Sequence, residues 1–359
     1  MIELIAGYFN RHSLEYYKWK VNQFSDKTKV TLTAEDYDNL AVAYEKLGRH
    51  DKAIETINSK IEQFPDEGRY RSEANLGTFL IHDGQYEAGL QHIERAIEIN
   101  PNAHFGREVY QQLLVEYVIE RRAAGATLPL NVESTEKNGG FARFVLKQRN
   151  LAPEKNSNDS IGEIESAIQG VQGMMRFGNF DSPILLEALG DLYYYKLHHI
   201  DDTRPVRLII AKAYLKASLE AEEETVQEQY LSKAKSAIPT NRAAYPYPSV
   251  EELKLELEDQ IALATQHQAD IEANEINWIT NGENVDEKFF TEYAGTPEFA
   301  GTEFPYYTNP YLASPSPEPS FTQAAKFGIM GAIFVLIALG LWQYRHWNED
   351  LEEVEQERS

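Results

Sequence analysis

The chain has 359 residues, of which 42% are apolar and 25% are charged, the balance of an ordinary globular protein with room for one large or two small domains. Its formal net charge of −23 repels nucleic-acid phosphates and anionic lipid headgroups, so we expect no nucleic-acid partner. The sequence contains no cysteine, which excludes disulfide bonds, thiolate metal ligands and cysteine nucleophiles.

The first segment, residues 1–33, combines closely spaced aromatic side chains with an amphipathic pattern, and we expect a helical lead-in there. The segment lacks the three parts of a secretory signal peptide, namely a basic start, a long apolar run and a small-residue cleavage site.

Residues 34–103 contain one framework twice. The first copy consists of Tyr37, Leu40, Ala41, Tyr44, Gly48, Ala53, Ile57 and Pro65, and the second of Leu76, Gly77, Leu80, Gly84, Gly89, Ile93, Ala96 and Pro101. Leu40 and Leu76 are 36 residues apart, as are Pro65 and Pro101. In each copy, small residues allow two helices to approach closely, a glycine suits the turn between them, and a proline ends the second helix.

Helix–turn–helix units of 34 residues with this signature are tetratricopeptide repeats (TPRs), and residues 34–103 resemble two of them. The resemblance implies an all-α solenoid. In this family the first helix of each repeat lines a concave surface that binds proteins or peptides.

Asn39 and Asn75 occupy the same place in the two repeats, immediately before Leu40 and Leu76. The family resemblance implies that an asparagine at this place binds the backbone of a peptide ligand, since an amide both donates and accepts hydrogen bonds. The alternative is that both are ordinary asparagines on a helix surface.

The resemblance does not extend to the lysines and arginines with which some family members bind a terminal carboxylate. Asp38, Val42, Ala74 and Thr78 stand near those places instead. We therefore do not expect this chain to recognise a peptide by its C-terminus.

Beyond the repeats, the sequence predicts a helix over residues 104–122 that caps the stack or begins an incomplete repeat, and an irregular insertion over 123–160. Residues 161–279 are predicted to be helical. Within them Leu186, Leu189, Gly190 and Tyr193 repeat the first-helix signature of a degenerate third repeat, whose turn is expected to be about eight residues longer than in the others.

Residues 280–322 change in character, with prolines at 297, 305, 310, 315, 317 and 319 among many phenylalanines and tyrosines. This composition predicts an extended tether. Its aromatic residues either pack the tether along the helical body or form a docking motif for another protein.

Residues 323–344 are predicted to form one transmembrane helix. The apolar stretch begins at Ala324 and ends at Tyr344, and Lys326 is its only charged residue. A helix of this length measures roughly 31 Å, enough to cross a hydrocarbon core. The acidic tail, residues 345–359, contains Arg345 and Arg358, whereas Lys326 is the basic residue near the other end of the span. Because lysine and arginine are more frequent on the cytoplasmic side, this difference favours a cytoplasmic tail and an exported body.

The sequence contains no recognisable catalytic motif, and we expect neither a cofactor nor a metal ion. The nearest approach to a metal site is the group formed by His198, His199, Asp201 and Asp202. Neighbouring residues of one element point in different directions, so a solvated turn explains this group better than a ligand set does.

These features together predict a membrane-anchored TPR scaffold or adaptor that binds a protein or peptide and is not an enzyme. One alternative is a hydrolase-like enzyme with its site in residues 123–160 or in the central helices. Another is a structural subunit of a membrane complex, in which Gly328 and Ala332 allow close helix packing.

Residues 102–108 (NAHFGRE) and 173–179 (GMMRFGN) resemble stretches of exported bacterial TPR proteins whose bodies follow a signal peptide. The resemblance implies a single-pass protein of the bacterial inner membrane with an exported body, and a natural N-terminus that lies upstream. The alternative is a tail-anchored protein with a cytoplasmic body.

Overall fold

The computed structural model describes residues 1–26, 32–101, 103–132, 140–152, 157–200, 202–239 and 247–299. Within those ranges every regular element is a helix. The α-helices are α1 (Ile2–Ala6), α2 (Leu14–Asp26), α3 (Ala34–Lys46), α4 (His50–Gln63), α5 (Arg69–His82), α6 (Tyr86–Ile99), α7 (Arg107–Ala123), α8 (Gly140–Gln148), α9 (Asn158–Met174), α10 (Pro183–His199), α11 (Arg204–Glu220), α12 (Glu224–Ala237), α13 (Val250–Thr280) and α14 (Val285–Glu292).

The two repeats predicted from the sequence form the helix pairs α3–α4 and α5–α6, and successive helices pack on one another from α2 to α7. The small residue of the signature sets the separation of each pair. A Cβ atom added at Gly77 would lie 2.8 Å from the side chain of Ile93 and 2.9 Å from the carbonyl oxygen of Gly89. Because both contacts are shorter than a Cβ atom tolerates, α5 and α6 approach this closely only with glycine at 77.

The pair α10–α11 has the same kind of contact in a longer unit. Gly190 packs against the ring of Tyr214 as Gly77 packs against Ile93, but the two residues are 24 apart rather than 16. The sequence analysis predicted that the extra eight residues lengthen the turn, and this prediction was wrong. They lie mainly in longer helices, because α10 ends at His199 and α11 begins at Arg204.

Two segments predicted to be irregular contain helices. In the 123–160 insertion, α8 buries Phe141 and Val145 completely. In the 280–322 tether, α14 is capped by Asn284 and buries Val285. The prediction missed α8 because this helix is short and its sequence is flanked by turn-forming residues. It missed α14 because the prolines that argue against a helix begin only at 297, after α14 has ended.

A membrane-spanning helix is not found within the residues that the structure describes, where no helix combines the required length and apolar character. The predicted span from Ala324 to Tyr344, with most of the predicted tether and the whole acidic tail, lies outside those residues.

Three buried charged residues connect the central helices. Glu187 and Asp191 lie on α10, and Lys233 on α12 places its Nζ atom 3.0 Å from the first carboxylate and 3.2 Å from the second. All three are at most 3% exposed. Burial lowers the pKa of Lys233, but the charges of Asp191 and Glu187 outweigh that effect and raise it, so the lysine is charged.

The same carboxylates hold two distant pieces of backbone. The amide groups of Leu130 and Asn131 both donate to Glu187 at 2.8 Å, and the amide of Phe141 donates to Asp191 at 3.1 Å. A Cβ atom at Gly140 would lie 1.8 Å from Asp191 Oδ2, so glycine is required at the start of α8. The buried charges thus fix residues 130–131 and 140–141 against α10.

Replacing Lys233 with methionine is expected to destabilise the protein by about 3–5 kcal/mol, because it leaves two buried carboxylates without a counter-charge. The free energy of unfolding of the full chain in detergent, measured by urea titration of the helical signal, tests this expectation. Lys235→Met, two residues along the same helix and 54% exposed, is the matched control and should change stability by less than about 0.5 kcal/mol. Equal effects of the two substitutions would contradict the assignment.

Candidate functional site

The structure places the two predicted binding residues, Asn39 and Asn75, on α3 and α5. Asn39 is exposed and Asn75 is half-buried. Within the described part of the chain neither side-chain amide has a hydrogen-bond partner. Both amides are therefore free to donate to and accept from a ligand.

The first helices form a continuous layer. Glu45 of α3 is hydrogen-bonded to His82 of α5, and the side-chain amide of Gln111 on α7 donates to Thr78 Oγ1 of α5 at 3.0 Å. Gln112 of α7 stands immediately before Leu113, as Asn39 stands before Leu40. We call Asn39, Asn75 and Gln112 the amide row.

Gln112 was missed at the sequence level because it falls one residue outside the 36-residue interval that relates Asn39 to Asn75. It differs from them in that its Nε2 atom donates to Glu116 at 2.9 Å. A ligand bound here therefore competes with an existing bond, whereas at Asn39 and Asn75 it does not.

A buried ion pair lies beneath the amide row. Lys60 of α4 is 1% exposed, and its Nζ atom is 2.7 Å from Asp38 and 2.9 Å from Ser72 Oγ. Burial raises the pKa of Asp38, and Lys60 opposes that effect. Lys60 therefore joins the two repeats internally, and its partner Asp38 does not present its charge to a ligand.

Glu45 is a second internal contact between the repeats. Its carboxylate is bonded to His82 and, at 2.8 Å, to His50 of α4. Burial raises the pKa of Glu45, but the bonds from His82 and His50 outweigh it, so the pKa lies below its ordinary value of 4.5. Burial lowers the pKa of Lys46, the next residue, by more than the charge of Glu45 raises it.

The histidines at the end of α10 serve packing. His198 lies against the ring of Tyr194 with centroids 4.7 Å apart, and His199 stacks on Tyr195 at 4.2 Å. Across the described ranges, which leave out Asp201, no group of three histidine, aspartate or glutamate residues is arranged to hold a metal ion.

The structure also contains a cleft of about 690 Å³, within the size range of ligand sites. Its walls come from α1 and the turn after it, the start of α7, the end of α9 and residues 296–298. The side chains that line it include Tyr8, Phe9, Arg107, Arg176 and Phe177.

The two stretches of the bacterial resemblance, 102–108 and 173–179, meet at this cleft. The guanidinium carbon of Arg107 lies 5.9 Å from the centroid of the Phe177 ring. A Cβ atom at Gly173 would lie 3.1 Å from Arg107 Cδ, so the two segments are in close contact. Sequence reasoning noted both stretches but did not identify a site, because nothing in the sequence shows that segments 70 residues apart come together.

A π-helical turn, Met175–Asn179, forms one wall of the cleft. Gly178 has a non-helical backbone (φ −102°, ψ −108°) that interrupts the helix there. Lys46, at the end of α3, donates to the carbonyl oxygens of Phe177 at 2.6 Å and Gly178 at 3.2 Å. Turns of this type often occur at functional sites, and here Lys46 connects the turn to the first repeat.

The contribution of Glu45 to stability is expected to depend on pH. Because its pKa is lowered by folding, the contribution is fully present above the ordinary value of 4.5 and is lost as the pH falls through the lower folded value. Glu45→Gln should therefore destabilise the protein by about 1–3 kcal/mol at pH 6, and the difference from the parent should shrink towards pH 3. Urea unfolding of the parent and the variant at several pH values measures the difference in their free energies of unfolding. A difference that does not change with pH would contradict this account.

Comparison with known proteins agrees with the helix pairs described above. Residues 36–65 and 72–103 match the family model of the tetratricopeptide repeat. No curated protein matches the chain. The match covers α3–α4 and α5–α6 but not α10–α11, so the third repeat stays a prediction. The chain is tetratricopeptide-repeat-like, the regular elements in its described ranges are all helices, and repeats of this kind generally mediate interactions between proteins.

Proposed function

We propose that this protein is a membrane-anchored scaffold that binds an extended segment of a protein partner along the amide row. The observation that supports the proposal is that Asn39 and Asn75 occupy equivalent places in two tetratricopeptide repeats and that their side-chain amides have no bonding partner among the residues that the structure describes. An extended peptide carries unpaired backbone donors and acceptors, and a side-chain amide can satisfy one of each.

The charges near the row favour recognition of backbone over recognition of a terminal carboxylate. Asp38 is neutralised internally by Lys60, and Thr78 Oγ1 is engaged by Gln111. The central carboxylates Glu187 and Asp191 are committed to structural bonds, so they give no support to a hydrolase.

Replacing both asparagines with alanine tests the row. Asn39→Ala with Asn75→Ala removes the two amides without breaking a side-chain hydrogen bond in the described part of the body, so the fold should be unchanged and partners should be lost. The measurement is quantitative co-isolation of proteins with the full chain from detergent-solubilised membranes. We expect recovery of specific partners to fall about tenfold or more, the effect of losing two hydrogen bonds to a ligand.

Asn58→Ala is the matched control, since Asn58 is an exposed asparagine on the second helix of the same repeat. It should leave co-isolation unchanged. If the double variant retains every partner at the parental level, the amide row is not the binding surface.

We further propose that the segment from Ala324 to Tyr344 anchors the protein in the bacterial inner membrane, with the body exported. The support is the length and apolar character of that segment and the basic residues that follow it. The alternative is a tail-anchored protein with a cytoplasmic body.

The absence of cysteine makes the topology simple to test, because a single introduced cysteine gives an unambiguous label. With an exported body, Asn58→Cys should react with a membrane-impermeant maleimide in cells whose outer membrane alone is permeabilised. Ser359→Cys should react only after the inner membrane is opened. The reverse pattern would establish the tail-anchored topology, and loss of the protein on carbonate extraction would refute the anchor.

A further inference from the structure

The cleft beside the π-helical turn contains a cation that the body of the protein does not use. Arg176 lines the cleft and is exposed, and its side chain has no hydrogen-bond or ion-pair partner among the residues that the structure describes. Arg107, on the opposite wall, is engaged by Glu108 at 2.9 Å. An anion that enters the cleft therefore meets Arg176 as its binding partner.

Arg176 lies over a fixed aromatic ring. Its guanidinium carbon is 6.0 Å from the centroid of Phe9, which is buried and meets the ring of Phe180 edge-on at 5.4 Å. Because the ring of Phe9 is held by its neighbours, it gives the guanidinium a rigid base. The arginine then loses less conformational freedom when a ligand binds than a side chain in open solvent would.

Apolar surface lies next to this cation. The ring of Phe177 lines the cleft and is 66% exposed. Three half-buried apolar residues line the same cleft: Leu4, Tyr8 and Pro297. The ring of Phe177 is therefore part of a larger apolar surface and not a single exposed side chain. The bonds from Lys46 to the carbonyl oxygens of Phe177 and Gly178 fix the turn that carries this ring.

The acidic residues of the cleft limit which anion fits. Glu3 and Glu298 both line it; Glu3 is largely buried and already has partners, and Glu298 is exposed at the rim. A phosphate monoester, with close to two negative charges, would meet two carboxylates there. A carboxylate carries one charge and accepts two parallel hydrogen bonds from a single guanidinium. The charges therefore favour a monocarboxylate.

A free amide lies at the other end of the cleft. Gln169 of α9 lines the cleft and is exposed, and its side chain has no partner among the described residues. It precedes Arg176 by seven residues, which is about two helical turns, or roughly 10 Å along the axis. A side-chain amide both donates and accepts, so it suits a polar group at the far end of a ligand whose carboxylate is at Arg176.

We propose that this cleft is a binding site for a small aromatic monocarboxylate. The carboxylate pairs with Arg176, the aromatic ring packs on Phe177, and a polar group on the far side of the ring bonds to the amide of Gln169. A volume of about 690 Å³ suits a small molecule of this kind. The site is separate from the amide row, and the inference goes beyond the scaffold function proposed above.

The probe 4-acetamidophenylacetate tests the proposal, because it carries a carboxylate, a ring and an amide in that order. Ligand-observed NMR titration of the full chain in detergent, with protein-free micelles as the blank, should show saturable binding. Arg176→Gln should weaken this binding about tenfold or more, because it removes a charge-assisted pair. The uncharged analogue 4-acetamidophenylacetamide should bind the parent about tenfold more weakly for the same reason.

The contact of Gln169 has its own test. Gln169→Ala should weaken binding of 4-acetamidophenylacetate about threefold or more, the effect of one hydrogen bond, and should leave binding of phenylacetate, which has no amide, unchanged. Arg122→Gln is the matched control for the arginine. It removes an exposed arginine that lies over Tyr86 at 4.9 Å, away from the cleft, and should leave binding of both probes unchanged.

Hydrogen–deuterium exchange in α3–α12 should be the same in the parent and in each variant, which shows that the body is folded. Absence of saturable binding to the parent, equal binding of the charged and uncharged probes, or full binding to Arg176→Gln would overturn the proposal. Asn39→Ala with Asn75→Ala should leave probe binding unchanged, so failure here is distinguishable from failure of the amide row.

Discussion

Three of the lysines buried in the described part of this acidic protein join separate helices, and the arrangement of the body depends on them. Lys60 joins α4 to α3 and α5 through Asp38 and Ser72. Lys212 joins α11 to α13 through Glu256 and Gln260, and Lys233 joins α12 to α10. Each is at most 2% exposed. Removing water from such charges costs energy that their attraction only partly returns, so the pairs define which helices meet more than they add net stability.

This internal use of charge determines what remains for binding. The carboxylates Asp38, Glu187 and Asp191 and the hydroxyl of Ser72 are occupied within the body. Among the described residues of the first two repeats, the side-chain amides of Asn39 and Asn75 are not used in this way, and amides suit an extended backbone.

The sequence predicted the parts of the fold that repeat with a fixed interval. The signature of α3–α6 depends on contacts between residues close in sequence, such as Gly77 with Ile93, and so it leaves a local pattern. The longer helices of α10–α11 keep the same contact at a larger spacing, and the sequence alone could not assign the additional residues to helix or turn. The sequence did not predict α8 because this helix is held by a hydrogen bond from the amide of Phe141 to Asp191, which lies 50 residues away.

The same distinction applies to the binding residues. Asn39 and Asn75 could be proposed from the sequence because they recur with the repeat, whereas the cleft brings together Tyr8, Arg107 and Arg176, which have no common spacing. The cleft is formed by tertiary contacts between distant segments, so a local sequence pattern does not predict it.

Lys46 gives the two surfaces a common element. It ends α3, the helix that carries Asn39, and it holds the carbonyl groups of Phe177 and Gly178 in the cleft wall. Because these two hydrogen bonds join the end of α3 to the π-helical turn, the position of that wall of the cleft depends on the first repeat.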